Sequence, residues 1–291
     1  MAVTGPGIQP GWIEYDFPIV PAHTLVNPTK PYDVVMATGH QTVVPAITLA
    51  AARKLYYVQM LEHLFYGEGT GGWREARNTY PVARDAGFDF ITIATWQQER
   101  LREEWGIEAE MIPVAVNRDH FYPDSPKQNY VLIEGDNRNA AKDVDRLAWR
   151  VGELLRQEYG IHLYGYAAYC HSHAHIFDHF TVKPSEAQMR QLYSGALFLL
   201  KASKYEGRAG AVSEAMVCGT TCARAIIEGD EDVIDGYTGL RVPYEYRPLL
   251  GAAKRLMEDT RLRRQLERNC LAYTETHLQW DPVIDSLETA F

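Results

Sequence analysis

The 291-residue sequence contains no apolar run long enough to cross a bilayer. Its first ten residues have neither a basic segment nor an apolar core, so we expect no secretory signal there. Cysteine is scarce, because only four are spread along the chain and none forms a Cys-x-x-Cys pair. This usage argues against a disulfide scaffold and indicates reduced thiols in a cytoplasmic protein.

A surplus of basic residues is also lacking, since the formal net charge is −9. Residues 1–121 contain nine Lys and Arg against 14 Asp and Glu, and the remainder contains 20 against 24. Neither half carries the positive field that binding to a phosphate backbone requires, so the charge argues against nucleic acid as a partner. A local basic patch stays open, because Arg74, Arg77 and Arg84 lie close together in the sequence.

What is present is an ordinary globular composition, 46% hydrophobic and 23% charged, in a chain long enough for two domains. Apolar runs typical of buried strands alternate with segments of helical periodicity. This alternation predicts an α/β fold with parallel sheets. In the first half we expect strands at 33–37, 55–59, 90–94 and 110–114, a helix at 43–52, and another from a capping box at 95–98 to Gly106.

Residues 117–128 are rich in Asn, Asp and Pro, which is typical of an interdomain linker. We therefore expect one domain over residues 1–121 and a second over residues 122–279. The second series contains expected strands at 130–134 and 161–165, helices at 144–155, 248–258 and 261–276, and a capping box at 185–188.

The stretch with the most chemical information is residues 206–219, which follows the apolar run 196–200. The run predicts a buried strand, the residues after it favour a helix, and Gly219 is a natural helix end. Glu206 would therefore lie on the strand-to-helix loop, and Glu214 about one turn inside the helix.

Two glycines between these glutamates, Gly207 and Gly210, let the backbone approach a ligand closely. The N–H groups at the start of the helix suit a diphosphate, and the glutamates can accept hydrogen bonds from sugar hydroxyls on either side of it. The pattern outlines a nucleotide-sugar site. A bare pair of glutamates at this spacing has a plainer interpretation, because glutamates that flank a helix are usually solvated.

Residues 203–210 and 214–219 resemble the Glu-x7-Glu signature of the retaining GT-B glycosyltransferases of family four, Ser-x-x-Glu-Gly-aromatic-Gly followed by Glu-Ala-Met-Ala-Cys-Gly. Residues 228–240 are similar to that family's Asp-x-Ile-x-Asp-Gly-x-Thr-Gly-Leu segment. Residues 56–66 resemble the Tyr-Val-Gln-x-x-Glu-x-x-Phe-Tyr segment of a subset that includes polysaccharide rhamnosyltransferases. The resemblance covers residues 32–282.

The resemblance implies a GT-B fold, with two Rossmann-like domains facing a cleft. It implies a retaining, metal-independent glycosyltransferase of the hexosyltransferase type, which moves a sugar from a nucleoside-diphosphate sugar to a carbohydrate or other hydroxyl acceptor and needs no cofactor. Glu206 would bind the transferred sugar as a catalytic residue, and Glu214 the hydroxyls of the nucleoside. The donor diphosphate would be held by Arg138, Lys142, Gly207, Arg208, Ala209 and Gly210.

The acceptor side of the cleft is less specified. His40 follows the first recognised strand and would be either a catalytic hydrogen-bonding residue or a plain loop histidine. Glu62 lies in the matched aromatic segment and would contact the acceptor or make a structural hydrogen bond.

Only residues 1–32 precede Asp33, where the first matched strand begins. The family has a strand, a Gly-rich loop, a helix and usually one more strand before that point. We therefore expect a reduced N-terminal domain with apolar surface left on Val34, Val35 and the first helix. Either the proline-rich segment 6–31 or a second copy of the chain would cover this edge, and a homodimer is the favoured expectation. Residues 280–291 resemble the family's C-terminal segment, which returns towards the N-terminal domain.

Other functions remain open at this point. A nucleotide-sugar-binding or partner module without its own transferase activity is one, and a glycosyltransferase of modified DNA bases is another, although the net charge disfavours the latter. A histidine-rich cluster has metal-ligand residue types without the helical His-x3-His spacing. We favour a surface cluster over a zinc site for Cys170, His171, His173, His175 and His179.

Overall fold

The computed structural model describes residues 2–4, 19–21, 30–134, 141–143, 146–167 and 174–290. The strands in these residues are β1 (Ala2–Thr4), β2 (Ile19–Pro21), β3 (Tyr32–Ala37), β4 (Ala51–Val58), β5 (Asp89–Thr92), β6 (Ala109–Met111), β7 (Tyr130–Glu134), β8 (His162–Ala167), β9 (His179–Val182), β10 (Leu199–Tyr205), β11 (Cys222–Glu228) and β12 (Gly239–Pro243). The α-helices are α1 (His40–Ile47), α2 (Gly71–Asp85), α3 (Thr95–Trp105), α4 (Leu147–Tyr159), α5 (Glu186–Gly195), α6 (Gly210–Val217), α7 (Tyr246–Glu258), α8 (Thr260–His277) and α9 (Trp280–Ala290).

The first half of the chain forms a four-stranded parallel sheet in the order β3-β4-β5-β6. Helices α1, α2 and α3 connect successive strands, as parallel neighbours require. The side chains of Tyr56, Tyr80 and Leu101 are fully buried between the sheet and these helices. Strands β1 and β2 pair with each other in a separate two-stranded sheet.

The second half forms a six-stranded parallel sheet in the order β12-β11-β10-β7-β8-β9. From β7 the chain adds β8 and β9 on one side and then returns to place β10 on the other. The point between β7 and β10, where the strand order reverses, is where open α/β sheets bind ligands at the carboxyl ends of their strands. Strands β7 and β10 reach this edge of the sheet with Glu134 and Tyr205 as their last residues.

Several expected element bounds are confirmed. Helices α3, α4 and α6 are followed by glycines with positive φ, and α5 begins at the expected capping box, in which Ser185 accepts from the Gln188 N–H and Gln188 accepts from the Ser185 N–H. The helices expected at 248–258 and 261–276 are α7 and α8. The expected α/β class with parallel sheets is therefore what the chain adopts.

Other expected bounds are wrong. The helix expected at 43–52 begins at His40 and ends at Ile47, because Ala51 already pairs with Tyr32 in the sheet. The strand expected at 196–200 begins at Leu199 and continues to Tyr205, beyond the apolar run. Lys201 and Ser203 in its more polar second half are buried, and periodicity within the strand does not reveal this.

The capping box expected at 95–98 is also wrong. Ala94 is the N-cap of α3, and its side chain cannot accept a hydrogen bond. The Trp96 N–H instead donates to Glu231 Oε1 from the second half of the chain at 3.0 Å. The start of α3 is therefore capped by a tertiary contact.

The C-terminal helix packs against the four-stranded sheet. Val283 and Ala290 of α9 are buried in a cluster with Leu55 and Ile91, and Val34 packs at its margin. Part of the apolar surface that led us to expect a homodimer is thus covered by α9, and the homodimer remains a prediction. No helix in the described residues combines the length and apolarity needed to cross a membrane.

Candidate active site

Glu206 lies just after β10, at the carboxyl end of the strand, and is buried. Lys142 Nζ lies 2.7 and 2.9 Å from its two carboxylate oxygens, and the Ser203 hydroxyl donates to Oε1 at 2.9 Å. An isolated antiparallel bridge between Lys142 and Ser203 holds the backbone that carries the lysine. The structure therefore brings together Lys142 and Glu206, two residues that the sequence predicted for one site.

A second lysine lies beneath this pair. Lys201 is in β10 with only 3% of its side chain exposed, and its Nζ contacts Glu134 and lies 3.3 Å from Glu206 Oε1. In the adjacent strand, its register partner is the fully buried Arg224. Burial alone would raise the pKa of Glu206, but Lys201 and then Lys142 outweigh it and hold this pKa far below its usual range.

Glu214 lies in α6 and faces a different environment. Its Oε2 accepts a hydrogen bond from the Tyr193 hydroxyl at 3.0 Å, and the Tyr193 and Tyr166 hydroxyls are 3.3 Å apart. Burial raises the pKa of Glu214 to about 7, although the Tyr193 bond opposes the shift; Glu186 adds to it. Burial raises the pKa of the Tyr166 hydroxyl, and the charges of Glu214 and Glu206 add to this shift.

The start of α6, which we expected to bind a diphosphate, is partly engaged by the protein itself. The Ala209 N–H donates to Asp230 Oδ1 at 2.7 Å, and Asp230 is in turn held by the buried Arg224. Gly210 is exposed, and a Cβ placed on it would have Glu214 Oε1 as its nearest neighbour at 3.9 Å. In this conformation the space for a phosphate is at Gly210 and not at the Ala209 N–H.

Gly207 contacts the other half of the molecule. A Cβ on this residue would lie 2.2 Å from the carbonyl oxygen of Gln59, the residue after β4. The same carbonyl accepts from Gln97 Nε2 at 3.0 Å. Glycine is therefore needed here because the opposite half of the chain approaches the backbone closely. The sequence had suggested that a ligand makes this approach.

Arg208 points away from Glu206. Its guanidinium pairs with Asp232, which also accepts hydrogen bonds from Ser213 and Tyr273. Only 10% of the Arg208 side chain is exposed. The sequence placed Arg208 with the donor-binding residues, but in this conformation it joins the loop before α6 to Asp232, which in turn contacts α6 and α8.

His40 and Glu62 form one cluster in the first half. Glu62 Oε2 accepts from the His40 backbone N–H and lies 3.1 Å from His40 Nδ1 and 3.3 Å from the Tyr56 hydroxyl. On the other side of the ring, Tyr66 Oη is 3.3 Å from His40 Nε2. The carboxylate therefore orients the imidazole, which favours a proton on Nδ1 and leaves Nε2 facing the tyrosine.

The loop that carries His40 reaches the Glu206 loop through Gln59. Gln59 Nε2 donates to the Thr38 carbonyl at 3.4 Å, and the Gln59 carbonyl faces Gly207. Tyr205 and Ala141 also pack against the core of the first half. The carboxyl ends of both sheets thus meet around the Lys142 and Glu206 pair.

Some predicted residues lie elsewhere. Arg138, Cys170, His171 and His173 are outside the described residues. His175 and His179 are described, and no group of three or more His, Cys, Asp or Glu with metal-binding geometry occurs in the described part of the chain. The described cysteines, Cys218, Cys222 and Cys270, are free and buried.

Two of the arginines for which a local basic patch was left open, Arg77 and Arg84, are engaged locally. Arg77 pairs with Glu104 at 2.5 Å and lies over the rings of Trp73 and Trp105. Arg84 donates to the Trp105 carbonyl at 2.6 Å. These contacts tie α2 to the end of α3.

Sequence reasoning missed Lys201, Ser203, Tyr193 and Asp230. Lys201 carried a signal, because a lysine within an otherwise apolar strand must find a buried partner. Ser203 was noted only as part of a motif. Asp230 lay within the segment 228–240, which was noted only for its resemblance, and Tyr193 comes from a distant segment without a local signal.

The sequence matches no protein-family model, and a search of curated proteins finds no match. Solved structures do match. Sucrose-phosphate synthase from Thermosynechococcus elongatus superposes with a TM-score of 0.74 at 17% identity, over 89% of this chain and 73% of that one. HepE from Anabaena, solved with UDP-glucose, gives a TM-score of 0.70 at 16% identity, over 88% of this chain and 79% of that one.

A mutant of TarM from S. aureus, solved with UDP, gives a TM-score of 0.71 at 14% identity over 88% of this chain. The chain spans 54% of the length of TarM. These structures are GT-B glycosyltransferases, and at this identity the likeness shows the fold. The chain therefore has the GT-B fold that the resemblance implied.

Proposed function

We propose that this protein is a retaining glycosyltransferase that moves a sugar from a nucleoside-diphosphate sugar to a hydroxyl acceptor. The observation that carries the proposal is the pairing of Lys142 with Glu206 at the point where strand order reverses in a GT-B fold. HepE and TarM were solved with UDP-glucose and UDP, which makes a uridine donor the first to test.

Lys142 is the residue best suited to the donor diphosphate. A quarter of its side chain is exposed, so its ammonium group is accessible at the surface of the site. In the proposed complex Lys142 turns from Glu206 to a phosphate oxygen, with the exposed Gly210 N–H at the start of α6 as a second donor. Arg138 would assist from the same segment, as the resemblance implies.

The freed carboxylate of Glu206 then accepts hydrogen bonds from hydroxyls of the transferred sugar. An ionised carboxylate has two oxygens that only accept, which suits a pair of sugar hydroxyls. Glu214 offers a similar pair to the nucleoside ribose when it is ionised. Tyr193 orients this second carboxylate.

The proposed reaction proceeds on one face of the sugar. The acceptor oxygen bonds to the anomeric carbon as the bond to the diphosphate breaks, and the acceptor proton passes to the departing phosphate oxygen. Lys142 and the α6 dipole stabilise the charge that develops on the leaving group. His40, oriented by Glu62, is proposed to contact the acceptor or the sugar from the opposite domain.

We also propose that no divalent metal is needed. Asp230 and Asp232 have the spacing of a carboxylate pair that could hold a cation, but each is already ion-paired, Asp230 with Arg224 and Asp232 with Arg208. The Asp230 carboxylate also accepts a hydrogen bond from the Ala209 N–H, and the Asp232 carboxylate accepts from the Ser213 and Tyr273 hydroxyls. A metal would have to displace these contacts.

The test is calorimetric titration of the full chain with UDP, GDP and dTDP, followed by release of nucleoside diphosphate from the matching donor with a panel of acceptors, with and without EDTA. We expect one nucleotide to bind, turnover in EDTA, and an unchanged anomeric configuration in the product by NMR. Glu206→Ala should lower turnover at least about tenfold while nucleotide still binds. The exposed Glu108→Gln is the matched control.

Each other outcome has a defined meaning. Nucleotide binding without turnover on any acceptor would favour a binding module over an enzyme. Activity lost in EDTA and restored by Mg²⁺ or Mn²⁺ would refute metal independence. Inversion of the anomeric centre would refute the proposed single-face reaction.

A further inference from the structure

Two lysines contact the same carboxylate of Glu206, but their surroundings differ. Lys142 forms only an isolated bridge with Ser203 and has 25% of its side chain exposed, whereas Lys201 is within β10 and has 3% exposed. A buried lysine is costly unless it is paired, and Lys201 contacts the carboxylates of both Glu134 and Glu206. One cation can therefore leave Glu206 without breaking the core, and the other cannot.

If Lys142 turns to a diphosphate, Glu206 loses two of its closest contacts. A buried carboxylate without a cation takes up a proton, and a protonated Glu206 offers one acceptor fewer to a sugar. The groups that still face it are Lys201 and Ser203 from β10, Arg224 from β11, and Tyr166 from β8. Of these, Lys201 is the cation within 4 Å.

Arg224 contributes less directly, because its Nε pairs with Asp230 and its Nη1 donates to the Ala225 carbonyl, whereas Lys201 contacts Glu206 itself. Glu134 carries the same negative charge as Glu206 and repels it, but the two carboxylates share Lys201 as their counter-ion. The arrangement makes Lys201 the fixed counter-ion of the site, and Lys142 the exchangeable one.

Resting on the function proposed above, we propose that Lys201 is a positioning residue that keeps Glu206 ionised and in place while Lys142 is transferred to the donor diphosphate. Lys201 itself does not contact the donor. Its effect is on the pH at which the donor complex works, while Lys142 acts on nucleotide affinity. The two lysines thus have separable signatures.

The experiment compares Lys201→Met, Lys201→Arg and Lys142→Met with wild type in the full chain. We measure UDP affinity by calorimetry, the pH profile of UDP release from UDP-glucose, and the titration of ¹³C-labelled glutamate carboxyls with and without UDP, with Glu206→Gln used to assign the signal. Thermal unfolding monitors the fold. The double variant Glu134→Gln/Lys201→Met is a second test. It removes the carboxylate of β7 that Lys201→Met alone would leave without its lysine.

We expect Lys142→Met to weaken UDP binding at least about tenfold, as the loss of a charge-assisted contact does. We expect Lys201→Met to change UDP affinity by less than about threefold, because Lys201 makes no donor contact. In that variant the acid limb of turnover and the Glu206 carboxyl titration in the UDP complex should both move to higher pH, by at least about one pH unit. Lys201→Arg should restore both.

An unchanged Glu206 titration in folded Lys201→Met, or in the double variant if the single one unfolds, would overturn the inference. So would a loss of UDP affinity as large as that of Lys142→Met. A wild type that binds no nucleotide would instead refute the proposed function, and the carboxyl titration of the free protein would still test the pairing of Lys201 with Glu206.

Discussion

At the scale of single residues, the two glutamates of one motif have opposite electrostatic environments. Glu206 is surrounded by cations and has a pKa far below its usual range, whereas burial raises the pKa of Glu214 to about 7. The first is therefore charged throughout the neutral range, and the second changes charge within it. Their shared position in a sequence motif conceals this difference.

Replacing Glu214 with Gln should stabilise the protein at pH 8 and weaken nucleotide binding. Because the folded pKa of Glu214 lies above its unfolded value, the native state holds more protons from about pH 4.5 to 7, so its contribution to stability falls as pH rises through that window. Gln removes this loss, which we expect to be on the order of 1–3 kcal/mol at pH 8. Thermal unfolding at pH 5 and pH 8 measures it.

The same substitution should also remove a pH dependence of binding. Wild-type affinity for UDP is expected to rise from pH 6 to pH 8 as Glu214 ionises and accepts from both ribose hydroxyls, and the variant should bind weakly at both. Glu108→Gln, at an exposed position, is the control for stability and should change neither property. A variant that is equally stable at pH 8 and binds UDP as wild type does would contradict the assigned environment and role.

The sequence was a partial guide to these residues. The motif that contains Glu206 and the position of Lys142 placed these two residues in one site, and their side chains do pair. Arg208 has a charge suited to a phosphate, but which way a side chain turns depends on partners such as Asp232, which lies 24 positions away. Lys201 was passed over because it directly follows the apolar run 196–200, and the carboxylates that pair with it lie in β7 and beyond the end of β10.

At the scale of elements, helix ends that are fixed by nearby residues were predicted correctly, whereas helix ends that are fixed by tertiary contacts were not. Glycine after α3, α4 and α6 and the capping box of α5 were recognisable because each acts within a few residues. The start of α3 was not, since its second N–H is satisfied by Glu231, 135 positions away. The short α1 was placed too late because its first residues, around His40, are fixed by Glu62.

Removing the distant cap of α3 should cost stability. In Glu231→Ala, the Trp96 N–H loses its acceptor, and we expect a loss of about 1 kcal/mol, as for other helix caps. Chemical denaturation of the variant measures this loss. Glu103→Ala, on the exposed surface of the same helix, should change stability much less. Equal effects of the two substitutions would show that the contact with Glu231 does not stabilise α3.

At the scale of the whole molecule, the alternation of strands and helices was enough to predict two parallel sheets. The order of the strands was not predicted, although it decides that Lys142 and Glu206 meet between β7 and β10. The contact between the two halves was also beyond the sequence pattern. It consists of single groups from loops far apart in the chain, such as Arg100 with Glu228 and Gln59 with Gly207.

Substitution of Gly207 by Ala should disturb this contact between the two halves. The added methyl would lie 2.2 Å from the Gln59 carbonyl oxygen, so the two loops must move apart, at a cost of about 1–3 kcal/mol. We expect a lower unfolding temperature and a larger radius of gyration by small-angle X-ray scattering. Gly210→Ala is the matched control, because its methyl would meet nothing closer than 3.9 Å. If the two variants are equally stable and equally compact, the halves are not in contact at Gly207 in solution.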